Sequence, residues 1–179
     1  MTKSKSILLA GFGGQGILFA AKQLASAAMD LDKYVTWLPS YGPETRGGTS
    51  NCGVVISDEE IGSPIVKNPD ILVVFNIQAF EKFEPALKPW GTLFSDSTMI
   101  NKLSWRDDIS AYYVPASGIA SDNDLTGFAN VIMLGKIIAV TKLFDHDAFL
   151  DHMLSGIPAS RAAMIDKNRR AFELGYGYK

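Results

Sequence analysis

Short apolar runs alternate with longer stretches of helical periodicity along the first hundred residues, and helical patterning takes over after position 128. Residues 6–10, SILLA, are a continuous apolar run stopped by Gly11, the pattern of a strand buried on both faces. Residues 16–29, GILFAAKQLASAAM, space their apolar positions as a helix packed on that sheet. YVTWL (34–38) predicts a second strand and CGVVIS (52–57) a third. DEE then makes a tight turn and IGSP (61–64) a return, so an edge hairpin is expected there. DILVVFN (70–76) predicts another buried strand, followed by a short helix in IQAFEKFEPAL, and GTLFSD (91–96) and AYYVPA (111–116) complete the strands. Strand, helix and strand in this order predict one α/β domain over 1–179 with a mostly parallel sheet and a helical C-terminal end.

The helical end has its own signature. FANVIMLGKIIAVTKLF (128–144) is apolar nearly all round, interrupted by Lys136 and Lys142, which predicts burial on more than one side. DHDAFLDHML (145–154) and PASRAAMIDKNRRAFELGYG (158–177) follow, with Asp145 and Pro158 as helix starters.

Composition narrows the function. A chain of 179 residues, 47% hydrophobic and 20% charged, suits one soluble domain with a sizeable core. A net charge of −2 with scattered Lys and Arg argues against nucleic acid as partner. The N-terminal apolar run is too short for a secretory signal, and no run approaches the roughly 18 residues of a membrane span. A cytoplasmic protein with no membrane partner is expected. The one cysteine, Cys52, excludes an internal disulfide, a multi-cysteine zinc site and an iron–sulfur cluster held by this chain alone, and no metal is expected.

GFGGQG (11–16) ends the first strand and opens a helix, the context of a dinucleotide fingerprint. There Gly11 would allow the tight turn, Gly13 the close approach of a phosphate, and Gly16 the packing of helix on strand, with Gly14 and Gln15 between them. The helix start behind the loop offers free N–H groups and a positive dipole end. A dinucleotide site also needs an acid at the end of the second strand, which instead ends in WLPSYG; Asp30 and Asp32 precede it. Four readings stay open: an NAD or FAD site despite the missing acid, glycines serving only close packing, another phosphate, or a partner surface.

The second unusual segment is PSYGPETRGGTSNCG (39–53), too polar and glycine-rich for core. In a parallel sheet it lies at the same carboxyl edge as the glycine loop. Arg46 can fork onto a carboxylate or phosphate, and Gly47 and Gly48 let backbone amides approach an anion. Glu44 can instead pair with Arg46 and pin the loop.

Four stretches together carry a resemblance: GFGGQGILFAAKQLASAA, PSYGPETRGGTSNCGVVIS, NVIMLGKIIAVT and NRRAFELGY. In this order they resemble the gamma subunit of the 2-oxoacid:ferredoxin (acceptor) oxidoreductases, the pyruvate, 2-oxoglutarate and 2-oxoisovalerate family. The resemblance implies a Rossmann-like three-layer sandwich. It implies a heteromeric enzyme that oxidatively decarboxylates a 2-oxoacid to an acyl-CoA, with 2-oxoglutarate favoured. It also implies thiamine diphosphate, magnesium and iron–sulfur clusters in thiamine-diphosphate-binding and ferredoxin-like partner chains, ferredoxin as acceptor and coenzyme A as co-substrate. No GDG motif for thiamine diphosphate occurs here, so this chain is not expected to act alone and no catalytic residue is assigned. The expected contacts to coenzyme A or to a partner's active-site rim are Gly11, Gly13, Gly14, Gln15 and Gly16 of the first loop. Tyr41, Glu44, Arg46, Gly47, Gly48 and Asn51 supply those of the second. The competing class is a stand-alone phosphate- or nucleotide-binding regulatory module.

The remaining candidates read as structural. Cys52 has no histidine near it in sequence to act as base. His146 and His152 are six apart rather than four, and are expected to be solvated helix residues. SDNDLTG (121–127) lacks the glycine and glutamate of a calcium loop, so a turn with a helix cap is expected.

Overall fold

A computed structural model describes residues 4–41 and 49–179. Six strands form one sheet in the order β2-β3-β1-β4-β5-β6. They are β1 (Ser4–Phe12), β2 (Tyr34–Tyr41), β3 (Thr49–Ser57), β4 (Ile71–Val74), β5 (Thr92–Asp96) and β6 (Ser110–Val114). The helices are α1 (Ile17–Met29), α2 (Ile77–Phe83), α3 (Ala116–Asp122), α4 (Ala129–Thr141), α5 (His146–Ser155) and α6 (Ala162–Tyr176). β1, β4, β5 and β6 are mutually parallel, while β3 runs antiparallel to both β1 and β2.

The edge hairpin exists, but β2 and β3 form it. Residues 61–64 are not a strand. Both hairpin strands are longer than their apolar cores, because β3 is laddered on two sides. Its polar residues Thr49, Ser50 and Asn51 pair with Phe12, Gly11 and Ala10 of β1, although the segment has no apolar alternation to mark it as a strand. Pro39 is tolerated within β2 because that strand is an edge, where a missing N–H leaves no ladder bond open.

Alternate residues of the central strands feed two cores. Ile7, Leu9, Ile71, Val73 and Phe94 face the large helical layer containing α1 and α4. Leu8, Ala10, Leu72, Val74 and Leu93 face a thinner layer built on Ala79 and Phe80 of α2, with Leu87 and Ile100. The sandwich is therefore lopsided. α4 buries Val131, Ile132, Met133, Leu134, Ile137 and Ile138, as its all-round apolar pattern requires. It crosses α6 at two glycines: a Cβ on Gly135 would strike the backbone of Phe172 and Tyr176, and one on Gly175 the backbone of Ile132. Asp145 caps α5 by accepting from the Ala148 N–H at 3.1 Å. α3 was not visible in the pattern, since ASGIASD offers only Ile119 as a large apolar residue. The turn and cap expected in 121–127 serve the end of α3: Asn123 is its C-cap and donates its side-chain amide to the Ile119 carbonyl at 2.9 Å, while α4 follows Phe128 with no side-chain cap.

Candidate functional site

β1 and β2 run the same way, both antiparallel to β3, so their carboxyl ends share one sheet edge. Phe12 lies opposite Thr49 and Tyr41 opposite Ser50, which brings the glycine loop beside the strand ends that bracket the second loop. Glu44, Arg46, Gly47 and Gly48 lie outside the described residues. Asn51 sits within β3, opposite Ala10 and Ser40, half-buried.

The glycines do other jobs than the fingerprint assigns them. Gly11 is a buried residue of β1 and makes no turn. A Cβ there would come within 2.6 Å of the Gln15 Oε1 and 2.9 Å of the Ile17 Cδ1, so its absence makes room for Gln15. The turn is made by Gly14 and Gly16, at φ 99° and 74°. Gly16 is the N-cap of α1, and a Cβ on it would collide with the Asn130 side chain of α4. Its close neighbour is thus another helix and not the sheet. Gly13 and Gly14 are exposed, with open space over Gly14.

Gln15 is used within the chain at both ends of its amide. Its Oε1 accepts from the Phe12 N–H at 2.6 Å and its Nε2 donates to the Phe75 carbonyl at 3.0 Å. It joins β1 to β4 just past the last rung of their ladder, Ala10 opposite Val74. At this point the chain leaves β1 through α1 toward β2, while β4 lies on the other side. That is the switch point where open α/β sheets form their ligand crevice. A cleft of about 270 Å³ opens there, lined by Gly14, Gln15 and Phe75, by Ser117 and Ser121 of α3, and by Thr126 and Gly127. Both α1 and α4 begin near it with no side-chain cap and no acidic residue in the first turn, and Asn130 joins them by donating to the Gly16 carbonyl at 3.2 Å. Uncapped helix starts carry unsatisfied N–H groups and a positive dipole end, which favour an anion.

Asp96, fully buried at the end of β5, sets the cleft's far wall. Its carboxylate accepts from the Ser117 N–H at 3.2 Å and hydroxyl at 2.5 Å, and from the Thr98 N–H at 3.1 Å, anchoring the start of α3. The cleft itself is lined by hydroxyls, an amide and backbone together with Phe75, Ala120 and Ala129, with no titratable side chain among the described residues. Such a surface can bind. Sequence reasoning missed Asn130, Ser117, Ser121 and Thr126. Only the polar Asn130 within an apolar helix carried a signal.

Cys52 is wholly buried in β3 and burial pushes its thiol up to about 11, so it is no nucleophile. Neither histidine is merely solvated, contrary to expectation. His146 contacts Asp147 at 2.7 Å and Glu173 at 3.2 Å and lies edge-on to the Tyr176 ring. The His152 Nδ1 is 2.5 Å from the Asp30 Oδ2, and its Nε2 is 2.8 Å from the Ser26 Oγ. Those distances match a Ser–His–Asp relay, but Ser26 sits inside α1 with its hydroxyl also 2.8 Å from the Lys22 carbonyl. The surrounding amides serve the helix and leave no oxyanion hole, so the trio ties α1 to α5. Among the described residues no His, Cys, Asp and Glu cluster suits a metal, and no helix is long and apolar enough to cross a membrane.

The chain is a mixed α/β sheet with an anion-favouring crevice at its switch point, and β2 ends without the acid of the dinucleotide signature. The chain belongs to the pyruvate ferredoxin/flavodoxin oxidoreductase family, whose model matches residues 6–178. It is 39% identical over 171 residues to the ketoisovalerate oxidoreductase subunit VorA of Methanothermobacter marburgensis, covering 94% of this chain but 35% of that one. The chain thus spans about a third of the length of its first-ranked curated relatives. It is 38% identical to the 2-oxoglutarate synthase subunit KorC of Methanocaldococcus jannaschii, covering 96% of this chain and 92% of that one. Among solved structures, the gamma subunit of a keto/oxoacid ferredoxin oxidoreductase from Geobacter sulfurreducens superposes with a TM-score of 0.84 at 30% identity, covering 97% and 94% of the two chains.

Proposed function

We propose that this chain is the gamma subunit of a cytoplasmic 2-oxoacid:ferredoxin oxidoreductase, and that the oxoacid is 2-oxoglutarate. The observation that carries the reading is the end-to-end match to KorC, which spans nearly all of both chains, alongside the Geobacter gamma-subunit fold. The VorA match, at 39% identity, covers only 35% of that relative and so aligns with a part of that chain and not with a whole subunit. A cleft whose described lining carries no acid–base side chain, and a buried cysteine, suit a chain that binds while companions do the chemistry. Thiamine diphosphate, magnesium and the iron–sulfur clusters then belong to companion subunits, and electrons leave to ferredoxin.

The residues here fit one participant, coenzyme A. Exposed backbone at Gly13 and Gly14, two uncapped helix starts and the cleft hydroxyls suit a phosphate group. The chain's part is to hold that anion at the sheet edge. The test is to purify the affinity-tagged chain from its own host and assay bound thiamine diphosphate and iron in the eluate. Companions carrying both are expected. A chain that emerges without either cofactor-bearing companion contradicts the proposal and favours a stand-alone binding module.

A further inference from the structure

Three parallel pairs would each be expected to be bridged by a helix, yet the β5–β6 crossover, residues 97–109, contains none. An extended strap covers this part of the thin layer instead. Its side chains are sorted the wrong way for a solvated loop. Ile100 is buried in the core, the Ser104 N–H donates to the Tyr113 hydroxyl at 2.8 Å, and the Ser104 hydroxyl donates to the Glu84 carboxylate. Arg106, its side chain only 10% exposed, donates to the carbonyls of Glu84 and Leu87 at 3.1 and 2.7 Å and forks onto Asp108. Met99, Leu103 and Trp105 are exposed between the polar Thr98, Asn101, Lys102 and Asp107, with Trp105 85% exposed. Ser104 and Arg106 thus turn inward beside Ile100, while three large apolar side chains face out.

Trp90 extends the same pattern. It is 88% exposed, its N–H is held by the Asp108 carbonyl at 2.7 Å, and its φ of 64° is one that bulky residues rarely adopt. Backbone strain spent on exposing an indole points to use of that indole. The basic groups alongside are already committed, Lys102 to Glu81 and Lys88 to Asp70, so the strap presents no free cation at those positions. Exposed, rigidly held tryptophans are the residues that dominate protein interfaces.

We infer that the outer face of the strap, Met99, Leu103 and Trp105 with Trp90 beside it, docks an uncharged apolar surface of a companion subunit. The inference rests on the proposed function. The domain occurs both as nearly the whole of KorC and as about a third of VorA. In either arrangement another folded polypeptide lies against it, and the strap is the described face built to be covered. The edge strand β2 also exposes Tyr34, Trp37 and Leu38, but it adjoins residues 42–48, outside the described part.

The test uses the complex purified from the host, from which companions are separated and recombined with wild-type chain or with Trp90→Ala/Trp105→Ala or Leu103→Asp. Each variant should melt as wild type does, since none of these side chains is buried. Affinity for the companions should fall by roughly thirtyfold or more, as for loss of an interface hot spot. The indole fluorescence of the wild type should shift to the blue on recombination, and that of the double variant far less. Wild-type affinity in both variants overturns this inference and leaves the proposed function standing. Failure of the wild-type chain itself to recombine overturns both. A self-dimer of the isolated chain abolished by Trp105→Ala assigns the face to a second copy and overturns the inference as stated.

Discussion

Replacing Gln15 by alanine removes both hydrogen bonds that close β1 onto β4 beyond their ladder. The Phe12 N–H and the Phe75 carbonyl each lose a partner, and Phe75 is buried. A net bond contributes about 0.5–1.5 kcal/mol, and a buried group left unpaired costs about 1–3 kcal/mol. With Phe75 buried and Phe12 half-buried, the expected loss is about 2–3 kcal/mol. For a domain of this size each kcal/mol lowers Tm by about 2–4 °C, so a drop of about 4–12 °C is expected by calorimetry. Gln15→Glu sharpens the test. One carboxylate oxygen still accepts from the Phe12 N–H, but the other faces the Phe75 carbonyl. This variant should be at least as unstable at neutral pH and should recover as acid protonates the carboxyl and restores a donor. Hydrogen exchange at the Phe12 amide should rise in the alanine variant. A Tm within about 1 °C of wild type, or no acid recovery in Gln15→Glu, would refute the assignment of Gln15 as the clasp between the two strands.

Gly16→Ala should cost at least about 1–2 kcal/mol, because φ 74° is strained for any L-residue and the new Cβ meets Asn130; a variant as stable as wild type in urea would contradict this. Cys52 should resist thiol reagents in native buffer and react stoichiometrically in denaturant, since its buried thiol is pushed up to about 11; native-state labelling would show the strand to be open. His146 is held above its ordinary value, chiefly by its bond to Asp147 and also by Glu173, against the lowering effect of burial. A raised folded value means the stabilisation is full below the unfolded value near 6.5 and is lost as pH climbs through the folded one. The wild-type minus His146→Gln stability difference should therefore shrink above that window; a difference growing with pH would reverse the sign.

Strands with strong apolar runs were legible because burial on two faces leaves a one-dimensional mark. β1, β4 and the helix α4 announce themselves in SILLA, ILVV and VIMLGKII. The β2–β3 hairpin was misplaced because its extra rungs, Thr49–Asn51, are held by backbone pairing with β1, which leaves no trace in side-chain pattern. The glycine loop was recognisable as a loop, but its assignments depended on which neighbour stood behind each glycine. That neighbour is Gln15 for Gly11 and Asn130, 114 positions away, for Gly16. α3 escaped because small residues held by a distant carboxylate, Asp96, carry no periodicity. The site's binding character followed from tertiary convergence of three helices that no local window contains.

Viologen reduction by the recombined complex tests the central claim most directly. With thiamine diphosphate supplied throughout, the isolated chain should give no 2-oxoglutarate- and coenzyme-A-dependent reduction, and the companions without it little. Together they should give turnover that requires coenzyme A and prefers 2-oxoglutarate to pyruvate and 2-oxoisovalerate. Turnover by the isolated chain, or companions equally active in its absence, would contradict the account.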